Sequence, residues 1–180
     1  MNFKRKSPAF TLIEMLVTLS IVTLLTTMVL VYSRHSESIT NLIRDSDRLV
    51  FNLHQVQNSS LLTLQQSSSS STICGWGIHL DLTSSSTSYL LFHDLCGSTT
   101  THVYDPGEEY ETVNLLKGVI FTKSDFHDIV FVPPNPDIYV DGSNNVLTNS
   151  IAATICLAAD TNTCFVITIN PAGQVSKEQI

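Results

Sequence analysis

A chain of 180 residues, 43% of them hydrophobic and 14% charged, is long enough for one ordinary domain plus one further element and too short for a second full domain. Its formal net charge is −7, and without Lys4, Arg5 and Lys6 near the N-terminus it is three charges more acidic, at −10. Such a body repels nucleic acid and anionic lipid headgroups rather than seeking them.

The first element is apolar. From Phe10 to Tyr32 there are 23 residues in which Glu14 is the one ionised side chain. A helix rising about 1.5 Å per residue needs roughly 20 residues to cross the hydrocarbon core, so this run is long enough to span about residues 10–32. Three cations before it and Arg34 shortly after it orient the N-terminus inward, which leaves the remainder outside the cytoplasm. A secretory signal would have a shorter apolar region, about 7 to 15 residues, ending at a small-residue cleavage site. Val29 to Arg34 offers none.

Beyond the span, Ile39, Leu42, Ile43, Leu49, Val50, Leu53, Val56 and Leu61 recur at helical spacings. No Pro or Gly interrupts the chain from Phe10 to Gln66, so the pattern predicts one helix over 10–66, on the order of 80 Å long. Arg44, Asp45, Asp47, Arg48, Asn52 and Gln55 are expected on its solvated face. The helix gives way at "QQSSSSST", with a Ser-rich linker at 67–72 that can bury nothing. Over 73–180 the texture is β, in short runs such as "ICGWGIHLDL", "YLLFHDLC", "DIVFVPP" and "CFVITINPAG" separated by turn residues. The predicted fold class is α+β, a long N-terminal helix whose second half packs on an antiparallel sheet.

Four cysteines, all far from the N-terminus, fit a disulfide framework outside the cytoplasm. Cys74 and Cys96 are symmetric about Ser85, and Cys156 and Cys164 about Asp160, the middles of two expected hairpins. Opposed residues in antiparallel strands lie about 4.5 to 5.5 Å apart at Cα, within the range a disulfide accepts. The expected pairs are therefore Cys74–Cys96 and Cys156–Cys164, with the other two connectivities and four buried thiols as alternatives.

The stretch "KRKSPAFTLIEMLVTLSIV" resembles the N-terminal signature of type IV pilins and type II secretion pseudopilins. The resemblance implies that a prepilin peptidase cuts between Ala9 and Phe10 and methylates the new amine of Phe10. Ala9 stands where Gly is usual. It also implies a role for Glu14 in assembly. An intramembrane carboxylate costs roughly 2.5 to 3.5 kcal/mol at mid-bilayer, and the amine freed by the cut, with an ordinary pKa of about 7.7 to 8.0, supplies a cation to offset it. The implied partners are other pilin or pseudopilin subunits, the peptidase and an inner-membrane assembly platform. "GWGIHL", "DIVFVPPNPDIYVDG" and "CFVITINPAGQVS", with Gly173 in the final turn, resemble in order the strands of minor pseudopilin H and its minor-pilin relatives. The lack of Pro near Val31, where many major pilins carry one, points the same way.

Other chemistry is not supported. The histidines show no metal-ligand spacing; His79 with Asp81, and His93 beside Asp94, read as solvent-facing strand positions. There is no phosphate loop, no G-x-S-x-G and no CxxC, so no catalytic residue or cofactor is expected. "DPGEEYE" and "DIYVDGSNN" carry oxygens that suit Ca²⁺, which some pseudopilins bind, but neither has EF-hand spacing, and Asp141-Gly142 is first a turn signal. Past residue 34 the cations Arg44, Arg48, Lys117, Lys123 and Lys177 form no cluster, which disfavours nucleic acid as a partner. The sequence reading is thus a minor pilin or pseudopilin, the alternatives being a DNA-uptake minor pilin and a bitopic surface protein whose β-domain holds a ligand.

Overall fold

The computed structural model describes residues 11–63, 73–83, 86–96, 102–134 and 137–180. The predicted linker at 67–72 lies outside them. One helix, α1, runs Leu12–Thr63, and the chain divides into two compact units, Met1–Glu37 and Ser38–Ile180.

In the first unit α1 is long and apolar enough over Leu12–Leu30 to cross a membrane, and those residues are exposed. Five hydroxyls interrupt the apolar surface, and each donates to a carbonyl of its own helix. Thr18 reaches Met15 O at 3.0 Å, Ser20 reaches Val17 O at 2.8 Å, and Thr23 reaches Ser20 O at 2.9 Å. Thr26 and Thr27 bond Val22 O and Leu24 O at 2.7 and 2.8 Å. None of these donors is carried unpaired into an apolar surrounding.

Among the described residues the second unit holds the rest of α1 and nine antiparallel strands. These are β1 Ile73–His79, β2 Ser88–Leu95, β3 Glu109–Asn114, β4 Val119–Ser124, β5 Asp128–Val132, β6 Asp137–Val140, β7 Ile151–Leu157, β8 Asp160–Ile169 and β9 Val175–Gln179. The α+β organisation is the expected one, a long helix followed by antiparallel strands. The strands, however, form two sheets, ordered β3-β2-β1-β5-β6 and β4-β7-β8-β9. The chain crosses between the sheets three times, after β3, β4 and β6, and α1 holds the turn at the first crossing: Asp45 Oδ2 accepts from Leu116 N at 2.7 Å and Asn41 Nδ2 donates to Lys117 O at 3.4 Å. With the turn tied to the helix, β4 leaves the first sheet and pairs with β7.

One core joins helix and sheets. Leu42, Leu49, Leu53 and Val56 of α1 meet Ile78, Leu91, Ile129 and Phe131 of the first sheet and Phe121, Ile155 and Ile167 of the second. Each such side chain contributes about 1.5 to 3 kcal/mol when fully buried. The helix face departs from expectation at several positions. Asp45 and Asn52, read as solvated, are 2% and 5% exposed, whereas Ile43 and Leu61, read as buried, are each 42% exposed. Positions 42, 45, 49, 52, 53 and 56 share one side of a 3.6-residue helix, so the polar pair goes in with the leucines. Both polar groups find partners there: Asp45 at Leu116 N, and Asn52 Nδ2 at Tyr89 Oη, 2.7 Å away. Arg44, Asp47 and Arg48 are exposed as expected.

Both hairpins are stapled. Cys156 and Cys164 are directly opposed across β7 and β8 and bonded, with Cα atoms 4.1 Å apart. Cys74 and Cys96 are bonded at a Cα separation of 5.2 Å. They are not directly opposed, because Ile73 faces Leu95 while Gly75 faces Asp94, which leaves Cys74 in a bulge. The bulge turns its side chain toward Cys96.

Candidate functional site

The N-terminal start of α1 carries the residues that the sequence singled out. Ala9 and Phe10 lie outside the described residues. Glu14 stands in the first helical turn, exposed. Its N–H donates to Thr11 O at 3.1 Å and Thr11 Oγ1 at 3.3 Å, while Thr11 Oγ1 in turn donates to Glu14 Oε2 at 3.5 Å. This is Ser/Thr N-cap geometry with a Glu three residues on, and a carboxylate in the first turn also complements the positive end of the helix dipole. The sequence carries this signal in "TLIE", a Thr-x-x-Glu capping-box pattern that lies within the apolar run. Thr11 thereby sets the direction of the Glu14 carboxylate, which as an exposed acceptor is open to a cationic donor.

The other polar residues considered from sequence serve the fold. His79 does not stand free in solvent: its Nδ1 lies 2.8 Å from Asp128 Oδ1, and that hydrogen bond pulls its pKa above the usual imidazole range against the opposing effect of burial. His93 packs between Trp76 and Tyr110, with ring centroids 4.3 and 5.2 Å away, and burial lowers its pKa. Its neighbour Asp94 is buried at 2% exposure and pairs with His102 at 2.7 Å. Cross-strand neighbours account for both corrections, since sequence alternation says nothing about what a connecting segment lays over a sheet face.

In the acidic stretch that suited Ca²⁺, Glu108 and Glu109 turn their carboxylates to donors within the protein. Glu108 accepts from Leu95 N and Asp105 N, each at 3.0 Å, and Glu109 accepts from Gly107 N at 2.9 Å and from the Tyr104 hydroxyl. That last bond pushes the Tyr104 phenol up to about 12. Asp141 and Gly142 form a tight turn after β6, with φ of 49° and 70°, and the turn closes through Ser143 N to Val140 O at 2.9 Å. The Asp141 carboxylate accepts from His127 N and Asp128 N at 2.7 and 2.8 Å, fixing the start of β5. Among the described residues no three His, Cys, Asp or Glu side chains converge as a metal set.

Compared with known proteins, the chain matches at its N-terminus. No curated protein and no solved structure matches it. Residues 4–30 match the family described as the prokaryotic N-terminal methylation motif, and this match, on a chain whose N-terminal helix is long and apolar enough to cross a membrane and is followed by antiparallel sheets, supports a type IV pilin-like protein.

Proposed function

We propose that this chain is a minor pilin or pseudopilin, a structural subunit of a type IV pilus or a type II secretion pseudopilus. A prepilin peptidase cuts it between Ala9 and Phe10 and methylates the Phe10 amine. The apolar helix then holds the subunit in the inner membrane, N-terminus inside, until an assembly platform passes it into a filament of similar subunits. The observation that carries this reading is the methylation motif over residues 4–30, with Glu14 in the first turn of a helix long enough to span. An exposed carboxylate at that turn suits a cationic amine that exists only after the cut, and the pair offsets the cost of an acid in lipid.

Two measurements test the reading. Intact-mass analysis of the protein from cells with an active prepilin peptidase should give a chain beginning at N-methyl-Phe10, and a retained leader would overturn it. Glu14→Val should insert in the membrane as well as wild type yet fail to cross-link to other pilin-like subunits; undiminished cross-linking would remove Glu14 from assembly.

A further inference from the structure

Phe92 is fully buried, yet it stands outside the core that joins α1 to the two sheets. Its strand neighbour Leu91 points into that core, so by alternation Phe92 lies on the opposite, outer face of the five-stranded sheet. Gly77 beside it leaves the room: a Cβ there would come within 2.4 Å of Phe92 Cζ, so the ring occupies the space above β1. The cover over this face is the described part of the connection between β2 and β3. Tyr104 packs edge-on to Phe92 at 5.7 Å, and His102 reaches across to stack on Tyr139 of β6 at 4.2 Å.

Two His–Asp pairs fasten this cover, and they differ in kind. At one end His102 of the segment itself bonds Asp94 of β2, Nδ1 to Oδ2 at 2.7 Å, with side chains 16% and 3% exposed. A ring N–H at Nδ1 donates to a carboxylate whether the imidazole is neutral or charged, so this end is anchored in both states. At Tyr104, two residues along, the histidine belongs to the sheet. His79 of β1 bonds Asp128 of β5 at 2.8 Å, and the Tyr104 ring rests on the imidazole at 4.8 Å and a tilt of 40°. When His79 is charged, the Tyr104 ring faces a cation inside the roughly 6 Å range of cation–π attraction; when it is neutral that attraction is gone.

We propose that His102–Glu108 is a strap across the outer face of the five-stranded sheet, clamped at Tyr104, between its two anchored ends, while His79 is protonated and slackened there when His79 is neutral. The Asp128 bond raises the proton affinity of His79, helped more weakly by Asp81 and Asp141. A raised folded-state pKa means that the clamp is fully present below the ordinary imidazole value and is lost as pH rises through the raised one. Of the other ionisable groups at the strap, Glu108 and Glu109 hold backbone N–H groups and the Tyr104 hydroxyl, Asp94 holds His102, which lies on Tyr139, and Asp105 is exposed. Slackening bares the Phe92 ring, so this surface changes from polar to apolar as the medium turns alkaline.

Hydrogen exchange of the full-length chain in detergent micelles, corrected for intrinsic rates, reads the strap through the Glu108 N–H, which is bonded to Asp105 O at 3.2 Å. Between about pH 6 and about pH 8.5 its protection should fall by about two- to fivefold, the effect of losing one exposed cation–π contact. His79→Gln should abolish the change and His102→Gln should keep it. Equal protection at both pH values, an unaltered pH response in His79→Gln, or its loss in His102→Gln would overturn the proposal. A measurement without variants guards against misfolding: the Tyr104 ring resonances should titrate with His79 Hε1, and Tyr104 signals that ignore that titration refute the clamp.

Discussion

At the scale of single residues, the positions that matter most are those whose neighbours come from distant parts of the chain. Gly77 is one. A methyl group there meets the Phe92 ring at 2.4 Å and Ile129 O at 2.8 Å, and the second of these is backbone and cannot step aside. Gly77→Ala should therefore cost about 1 to 3 kcal/mol or more of unfolding free energy, measurable by urea titration of Trp76 fluorescence. Gly107→Ala meets nothing within 4 Å and pays only for its φ of +106°, so it separates crowding from backbone strain. Asp45 is the second position. Asp45→Ala removes the acceptor for Leu116 N and should cost about 1 to 3 kcal/mol in the same titration, although the lost carboxylate has a pKa already raised by burial. Neither effect was legible in the sequence. Gly77 reads as an ordinary strand glycine until Phe92 lies beside it, and Asp45 reads as a surface charge until a backbone N–H 71 residues away is brought to it.

At the scale of elements, local patterns were readable and register irregularities were not. The long helix followed from an uninterrupted apolar period, and the pairing of β7 with β8 from two cysteines opposed across it, although the turn falls at Ala158–Ala159 and not about Asp160, which begins β8 past a register shift. The hairpin of β1 and β2 looked equally regular, but its bulge at Cys74 belongs to the pairing of Ile73 with Leu95, which no spacing in either strand announces. The two staples also predict a difference in stability. Replacing both cysteines of either pair by serine should cost about 2 to 5 kcal/mol. Because the sequence separations are 22 for Cys74–Cys96 and 8 for Cys156–Cys164, loop-closure entropy makes the first loss larger by about 1 kcal/mol. Urea unfolding of the two double variants gives the comparison directly, and equal losses would show that native-state contacts around the buried Cys156–Cys164 bridge outweigh the entropy of the loop.

At the scale of the whole molecule, charge decides which partners are excluded. Of the five cations past residue 34, Arg48 faces Glu111 at 3.8 Å, Lys123 faces Asp125 at 3.5 Å, and Lys177 lies against Asp47 with the Phe165 ring beneath it. Cations already matched to carboxylates release few counterions from a nucleic acid, so the chain should show no salt-dependent retardation of duplex DNA at physiological ionic strength; retardation that weakens as salt is added would contradict this charge argument. The division into two sheets was the large feature hidden from the sequence, because the chain crosses between them three times and the first crossing is a turn bonded to a distant helix. Three polar bonds now acquire a joint meaning: Asp45 to Leu116, Asn52 to Tyr89, and Gln57 to Gly173 O at 2.7 Å tie the helix at three heights to the β3–β4 turn, to β2 and to the β8–β9 turn. Each bond demands one angular setting of the helix, and one inserted residue swings everything after it by about 100°. An insertion between Asp45 and Gln57 cannot satisfy all three, so the helix and the two sheets are phase-locked, and length changes in this stretch are barred even where every new side chain would suit a helix.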